Sequence, residues 1–459
     1  MDLRAILQHW PTGLVSLLVI VDFILLYLKA DMLAFVALNM LAAIPLVLRS
    51  SATRKSLERY WTVVAILFIM SLSVHVRILD YNWPYLRNID SYAFYRDMEL
   101  IIQYGDKPAS EPLFVPSYNG GDGAGDLKFV GLSGLYLYQR LGAYSYLAAR
   151  QFIPSLELWR YLIYFPALLV SLAAIPMYYI GKLLYDRKAG VLAAFFILFD
   201  ISIVSRSLGG DPDSDAIVII VPLVVLTLYL ITYRHFEKIK GIDKMGILYG
   251  VLVAASLVVW HQVWGGYWYS IWLITGFLLG KLAIDAVQAK NGKQSFMSMV
   301  HQFQALAIIL AAFFVLDYHF VGIGAITTTV TGPFEYQAIK SEEGKEFPNV
   351  YVSVAELQES GSIKDIVQRT SPLSGAPLLL SPYMLTFYAL IYLSYACLKQ
   401  RKHLETFIIL FLWFVGPLLA TLVAVRFTIL FAAPMALGSG ILLSKALRMT
   451  LGQDKTLGE

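Results

Sequence analysis

Two things are scarce in this 459-residue chain: charge and cysteine. Charged residues make up only 15% of it, whereas 58% are hydrophobic, and mean hydropathy is +0.64. A water-soluble surface needs about a quarter of its residues charged. Disordered, coiled-coil and collagen-like chains are therefore excluded. The single cysteine, Cys397, excludes an internal disulfide scaffold and a thiolate metal cage. Neither sign of charge dominates: 36 basic residues against 32 acidic give +4, too little for a nucleic-acid partner. No G-x-x-x-x-G-K-[ST] string is present, which argues against a primary pump. What is abundant is long apolar runs, and these make the chain a polytopic membrane protein.

Runs long enough to span a bilayer, about 17 to 25 residues each, have cores near 12–29, 31–48, 60–79, 158–180, 188–205, 214–233, 245–260, 267–284, 302–322, 377–398, 404–421 and 427–447. The expectation is an all-α bundle of about twelve spans. The first run has no small-residue cleavage site and reads as an anchor. Arg49, Arg54, Lys55 and Arg59 crowd one connecting loop, and Lys182, Arg187, Lys188, Arg234, Lys238, Lys240, Lys244, Lys281, Lys290, Lys293, Lys399, Arg401 and Lys402 mark others. By the positive-inside rule these loops are cytosolic. The intervening acidic segments then face outward: two large loops, 80–157 and 323–376, and the short turn SLGGDPDSDA at 207–216.

That turn is the most informative feature. Asp211, Asp213 and Asp215 place three carboxylates within five residues at the mouth of an apolar span. Their mutual repulsion and desolvation would be relieved by a hard divalent cation such as Mg2+ or Mn2+, and a helix N-terminus also favours anions. N-capping by solvated Asp is the plainer alternative. Asp90, in RNIDSYAFYRD, and Glu356, in SVAELQ, are outward acids that alone read as solvated loop residues. Arg206 and Arg426 lie at the outer ends of spans, against the topological trend. Ionisable groups at membrane depth are functional candidates, with snorkelling as the alternative. The stretch WHQVWGGYWY at 260–269 reads as an interfacial aromatic belt, with His261 as a hydrogen-bonded helix-end residue. The scattered histidines imply no His metal site.

Taken in order, NIDSYAFYRD, PALLVSLAAIPMYYIGKLLYDRKAGVLAA, SRSLGGDPDSDAIVIIVP, WGGYW, PNVYVSVAELQ and VRFTILFAAPMAL resemble the catalytic subunit of oligosaccharyltransferases in its archaeal form, the AglB family. PNVYVSVAELQ looks like that family's T-I-x-E element with Ser353 for threonine. The resemblance implies a membrane bundle of the GT-C type. It also implies transfer of a glycan from a polyprenyl (dolichyl-type) phosphate or pyrophosphate to an acceptor polypeptide outside the cytosol. In that reading Asp90, Asp213 and Asp215 hold Mn2+ or Mg2+, with Asp211 an extra acid. Asp90 and Glu356 orient the acceptor amide, while Arg206 and Arg426 face the lipid-linked phosphate. The location implied is the cell membrane, multi-pass, with the active site on the extracytoplasmic face.

The domain reading is an extra N-terminal hairpin and basic loop at 1–59, a catalytic bundle at 60–447 and a polar tail at 448–459. The family's W-W-D-Y-G string, which reads the acceptor's serine or threonine, is not found. Glu459 is accordingly expected on the cytosolic side, and efficient transfer to N-x-[ST] peptides is expected to need a separate subunit. Two other readings stay open: a polyprenyl-phosphate sugar transferase with a lipid or polymer acceptor, and a cation-coupled transporter or flippase. Acids at span ends and in loops, not at mid-membrane, favour an enzyme.

Overall fold

The computed structural model describes residues 51–79, 81, 83–105, 110–112, 129–131, 137–239, 241–288, 292–322, 324, 326–332, 334, 362, 366–367, 378–400, 402–423 and 427–450. Helices account for nearly all of these. In chain order they are α1 (Ser51–Ile78), α2 (Ile89–Tyr104), α3 (Leu137–Phe152), α4 (Leu158–Ser171), α5 (Ala174–Leu184), α6 (Arg187–Phe199), α7 (Ile201–Ser205) and α8 (Asp215–Ile239). There follow α9 (Lys244–Val263), α10 (Trp268–Gln288), α11 (Gly292–Phe320), α12 (Pro382–Gln400), α13 (Leu404–Val423) and α14 (Thr428–Thr450). The expectation of an all-α chain needs one correction. A two-stranded antiparallel ribbon, β1 (Ser110–Pro112) and β2 (Phe129–Gly131), pairs Glu111 with Val130 inside the first large loop. Strands of three residues are too short to show the alternation by which strands are read.

Among the described residues eight helical stretches are long and apolar enough to cross a membrane, against about twelve expected along the whole chain. The runs at 12–29 and 31–48 lie outside the described residues. The run at 188–205 is two helices, because Asp200 takes an extended conformation and turns its carboxylate back on Ser202 N–H at 2.9 Å, starting α7. Helix α12 is not among the eight, since Tyr383, Tyr388, Tyr392 and Tyr395 dilute its apolar character.

Asp186 and Asp243 cap α6 and α9, each accepting a main-chain N–H three residues on at 2.7 Å. Capping satisfies donors that a helix start leaves open. Helix α14 lies deep in the bundle, with Phe431, Ala432, Met435, Leu437 and Ile441 fully buried. Conversely Val259, Val315, Ile391, Phe411 and Leu419 point outward, as side chains facing lipid do. The basic end of α8 is tied to its neighbours by ion pairs. Glu405 of α13 meets Lys281 of α10 at 3.1 Å and Arg234 of α8 at 3.2 Å. The other end of α8 begins at Asp215, so the acidic turn and this basic network at Arg234 lie most of a span apart, about 28 Å at 1.5 Å per residue.

Small residues let α14 approach α6 closely, the usual device between membrane helices. A Cβ added at Gly440 would lie 2.7 Å from the Ala189 carbonyl oxygen and 2.8 Å from Ala193 N. Gly440→Leu should therefore force the two helices apart and cost at least about 1–3 kcal/mol. Reversible unfolding in detergent mixtures checks this, and an unchanged midpoint would contradict the packing.

Candidate functional site

The acidic turn is built by main-chain bonds to three separated segments. Gly209 N–H donates to Arg77 O at 2.9 Å, Gly210 N–H to Ile163 O at 3.2 Å, and Arg87 N–H to Gly210 O at 2.7 Å. Gly210 has φ +77°, a left-handed conformation that glycine adopts without strain. A Cβ there would come within 2.3 Å of the Tyr81 ring. Beneath the turn Arg77 is almost completely buried. Its Nε donates to Ser207 Oγ at 2.8 Å, Nη1 to Ser73 Oγ at 2.6 Å and Nη2 to Leu198 O at 2.8 Å.

Each aspartate of the turn has a different partner. Asp211 accepts from Asn88 Nδ2 at 2.8 Å and Ser91 Oγ at 3.0 Å. Asn88 is the N-cap residue of α2 and makes no side-chain cap to its own helix; its amide goes to Asp211 instead. Asp215, in the first turn of α8, pairs with Arg206 Nη1 at 2.6 Å, both side chains largely buried. A charge-assisted bond of that length is strong. Among the described residues Asp213 accepts only from its neighbour Ser214, at 3.1 Å, and no Lys or Arg pairs with it. Burial first, then the charges of Asp215 and Asp211, raise the Asp213 carboxyl from 3.8 to about 6. Burial also raises Asp211, opposed by its bonds from Ser91 and Asn88.

The sequence candidates are distributed as follows. Asp90 lies in the first turn of α2, between Asn88 and Ser91, with its side chain exposed. The latch on Asp211 therefore brings the α2 turn that carries Asp90 onto the turn that carries Asp213 and Asp215. Arg206 sits beside them through Asp215. Glu356 and Arg426 lie outside the described residues. Among the described residues no three His, Cys, Asp or Glu side chains gather into a ready metal cage. The donors present nevertheless fit a hard divalent cation: they are all oxygens, and among the described residues no basic side chain pairs with the half-buried Asp213.

Sequence reading missed Arg77, Asn88 and Ser91 and took Asp211 as surplus. Arg77 had a signal, a lone arginine inside the 60–79 run, where ionisable groups are rare. The pairings of Asn88 and Ser91 depend on contacts across about 120 residues and have none. The aromatic stretch is corrected in part. Trp260 and Tyr267 are fully buried, and the Tyr267 ring packs 4.0 Å from that of His261. Core packing therefore accounts for them better than a lipid-facing belt. His261 is hydrogen-bonded at its helix end, as expected, to Asp317 at 2.7 Å.

The fold and this turn define the class, a multi-pass helical membrane protein with an arginine-braced acidic turn at one end of its bundle. The chain belongs to the oligosaccharyl transferase STT3 family, whose N-terminal model matches residues 60–454. A dolichyl-phosphooligosaccharide-protein glycotransferase of Methanococcus voltae is 22% identical over 302 residues, covering 60% of this chain and 32% of that protein. The dolichyl-diphosphooligosaccharide–protein glycosyltransferase subunit stt-3 of Caenorhabditis elegans is 28% identical over 159 residues, 35% of this chain and 19% of its own. Among solved structures, archaeal oligosaccharyltransferase AglB from Archaeoglobus fulgidus, in complex with an inhibitory peptide and a dolichol-phosphate, superposes with a TM-score of 0.62 at 18% identity. It covers 88% of this chain and 52% of its own. A complex of the A. fulgidus enzyme with Zn and sulfate gives a TM-score of 0.54 at 18% identity, covering 85% and 50%. The chain thus spans about a third of that first curated relative and half of the solved ones.

Two outcomes test this geometry. Asp211→Ala should release the start of α2, increasing hydrogen exchange at amides 89–95 while those of α8 stay protected; unchanged exchange would show that the latch holds nothing. The raised Asp213 carboxyl means that its ionised form opposes folding. That penalty is absent below about pH 4, grows between about pH 4 and 6 and is complete above. In chelator, Asp213→Asn should therefore melt above the wild type near pH 8, and the gap should close as pH falls toward about 4. A gap of opposite sign would contradict the assignment.

Proposed function

We propose that this chain is the membrane catalytic part of an oligosaccharyltransferase, moving a glycan from a dolichyl-type phosphate or pyrophosphate carrier to asparagine of a polypeptide at the outer membrane face. The observation that carries this reading is the Asn88/Ser91–Asp211 latch, which joins the first-loop helix to the acidic turn in a chain of the STT3 family. The names of the relatives, as protein glycotransferases acting with dolichyl-linked oligosaccharide, support donor and acceptor. The basic loops support an orientation with the acidic turn outside the cytosol, by the positive-inside rule.

An asparagine amide nitrogen is a poor nucleophile because its lone pair is delocalised into the carbonyl. In this reading Asp90 and Glu356 hydrogen-bond its NH2 group and aim it at the anomeric carbon of the donor sugar. The carbon–oxygen bond to the lipid phosphate breaks as the carbon–nitrogen bond forms, and the nitrogen gives one of its two protons to a carboxylate that holds it. Negative charge grows on the departing phosphate, and Arg206 and Arg426 stabilise it there. Mn2+ or Mg2+, held by Asp90, Asp213 and Asp215, would supply further electrostatic stabilisation of that leaving group. Arg206 also restrains Asp215 through their 2.6 Å ion pair, so one guanidinium serves both the acid and the phosphate.

The test is glycan transfer from dolichyl-phosphate- and dolichyl-pyrophosphate-linked sugars to a fluorescent N-x-[ST] peptide, using membranes that contain the chain and Mn2+. A glycopeptide is expected, and Glu356→Gln should lower its rate by about 10²-fold or more, the scale of losing one positioned polar group. Glycan appearing only on lipid, or none transferred at all, would overturn the protein-acceptor reading.

A further inference from the structure

Helix α3 has two apolar faces, although a helix packed on one side needs only one. Tyr138, Gly142, Ala143 and Tyr146 form the face that is buried against the bundle. Leu141, Tyr144, Ala148 and Phe152 recur at intervals of three and four residues, so they align as a second stripe, and this one is exposed. Phe152 is 87% exposed, Tyr144 51% and Leu141 39%, and the exposed Ile153 follows at the helix end. Arg150, also exposed, lies on the side of the helix away from that stripe by its position in the turn. A contiguous apolar surface of this kind marks a contact.

Side-chain bonds fix the level at which this helix lies. Tyr146 donates its hydroxyl to Leu156 O at 3.0 Å, and Tyr161, near the start of α4, donates to Ser145 Oγ at 2.6 Å. Helix α4 opens the candidate span Leu158–Leu184, on which Leu172, Ile175 and Tyr179 are exposed as lipid-facing side chains. The end of α3 is therefore held at the mouth of a membrane span. It is also the mouth that carries the acidic turn, since Ile163 O of α4 accepts from Gly210 N–H. Between α3 and the span, Glu157 accepts the indole N–H of Trp159 at 2.9 Å, the mixed apolar and polar setting of tryptophan at a membrane surface. The exposed stripe thus continues the lipid-facing surface of the span.

We infer that α3 is an interfacial helix, with Leu141, Tyr144, Ala148 and Phe152 seated in the phospholipid headgroup layer of the membrane that the chain spans. An amphipathic helix in that position sinks its apolar face about 5–10 Å into the boundary between headgroups and acyl chains. Tyr144 suits the place, because its ring is exposed while its hydroxyl donates to Gly105 O at 2.8 Å. That bond ties α3 to the end of α2, and Phe94 of α2 packs edge-on to Tyr138 at 5.5 Å. Helix α2 in turn is latched to Asp211. Lipid contact along α3 therefore sets the height of the acidic turn, at the layer where the phosphate of a membrane lipid lies. This inference stands apart from the glycan-transfer reading.

The test places single nitroxide labels on the full chain in phospholipid nanodiscs, through Leu141→Cys, Ala148→Cys, Phe152→Cys and Arg150→Cys. The parent chain serves as the control for Cys397, which is buried. Electron paramagnetic resonance then compares relaxation by oxygen, which partitions into lipid, with relaxation by a water-soluble nickel chelate. The ratio of oxygen to nickel effect should be several-fold higher at 141, 148 and 152 than at 150, with depths of about 5–10 Å at the stripe. Equal and strong nickel access at all four positions would put the stripe in water and overturn the inference. Little access of either reagent at the stripe would mean that protein covers it, which overturns it too. A second measurement needs no substitution: a phospholipid carrying a carbene precursor near its glycerol is photolysed in nanodiscs with the native chain. Adducts are expected within 141–153 as well as on the span at Leu172 and Ile175. Adducts on the span with none on α3 would defeat the inference.

Discussion

The site depends on one carboxylate that accepts from a helix start elsewhere in the chain. Asp211 takes the side-chain donors of Asn88 and Ser91, residues more than a hundred positions away. Asn88 would ordinarily satisfy the open N–H groups of its own helix, and it bonds Asp211 instead. Local helix stability is exchanged for a long-range restraint. The two segments that carry the candidate acids are thereby held together by side-chain bonds as well as by burial.

Behind that contact, the turn is held by its backbone more than by its side chains. Three main-chain bonds reach it from the end of α1, from α4 and from the stretch before α2, and each uses a glycine or its neighbour. Arg77 anchors the rear through Ser207. A buried guanidinium is costly unless its donors are met, and here they are met by hydroxyls and carbonyls. The acids in front are therefore spared a direct ion pair with Arg77 and remain available to other partners.

Much of this was legible in the sequence, because the signals are local. Apolar runs 60–79, 214–233, 245–260, 267–284, 404–421 and 427–447 correspond to helices long enough to span, since length and hydropathy carry that information. The run 188–205 misled because one buried Asp breaks the helix without breaking the apolar composition. The acidic turn stood out by its spacing. What could not be read was the division of labour inside it. Three aspartates at alternate positions look equivalent in a string, and only the fold shows that Asp211 faces Asn88 and Ser91 while Asp215 faces Arg206.

Charge balance gives the site its chemical direction. Asp215 is neutralised by Arg206 at 2.6 Å, and Asp211 is met by two neutral donors, with Arg87 lowering its carboxyl from nearby. Asp213 is left with the largest uncompensated cost, and its carboxyl sits at about 6 because burial and both neighbouring acids act on it together. Near neutral pH such a group is mostly ionised and poorly paired. Two kinds of partner relieve it, a proton or a cation, and they compete for the same oxygens. A proton would leave the other two acids unchanged. A divalent cation lowers the repulsion among all three at once, because its field falls on every carboxylate of the turn. Arg206, already committed to one edge of this cluster, then stands where positive charge from the protein and from the ion add together. Under the proposed function, that arrangement would suit a departing phosphate, with Arg206 placed beside the acids.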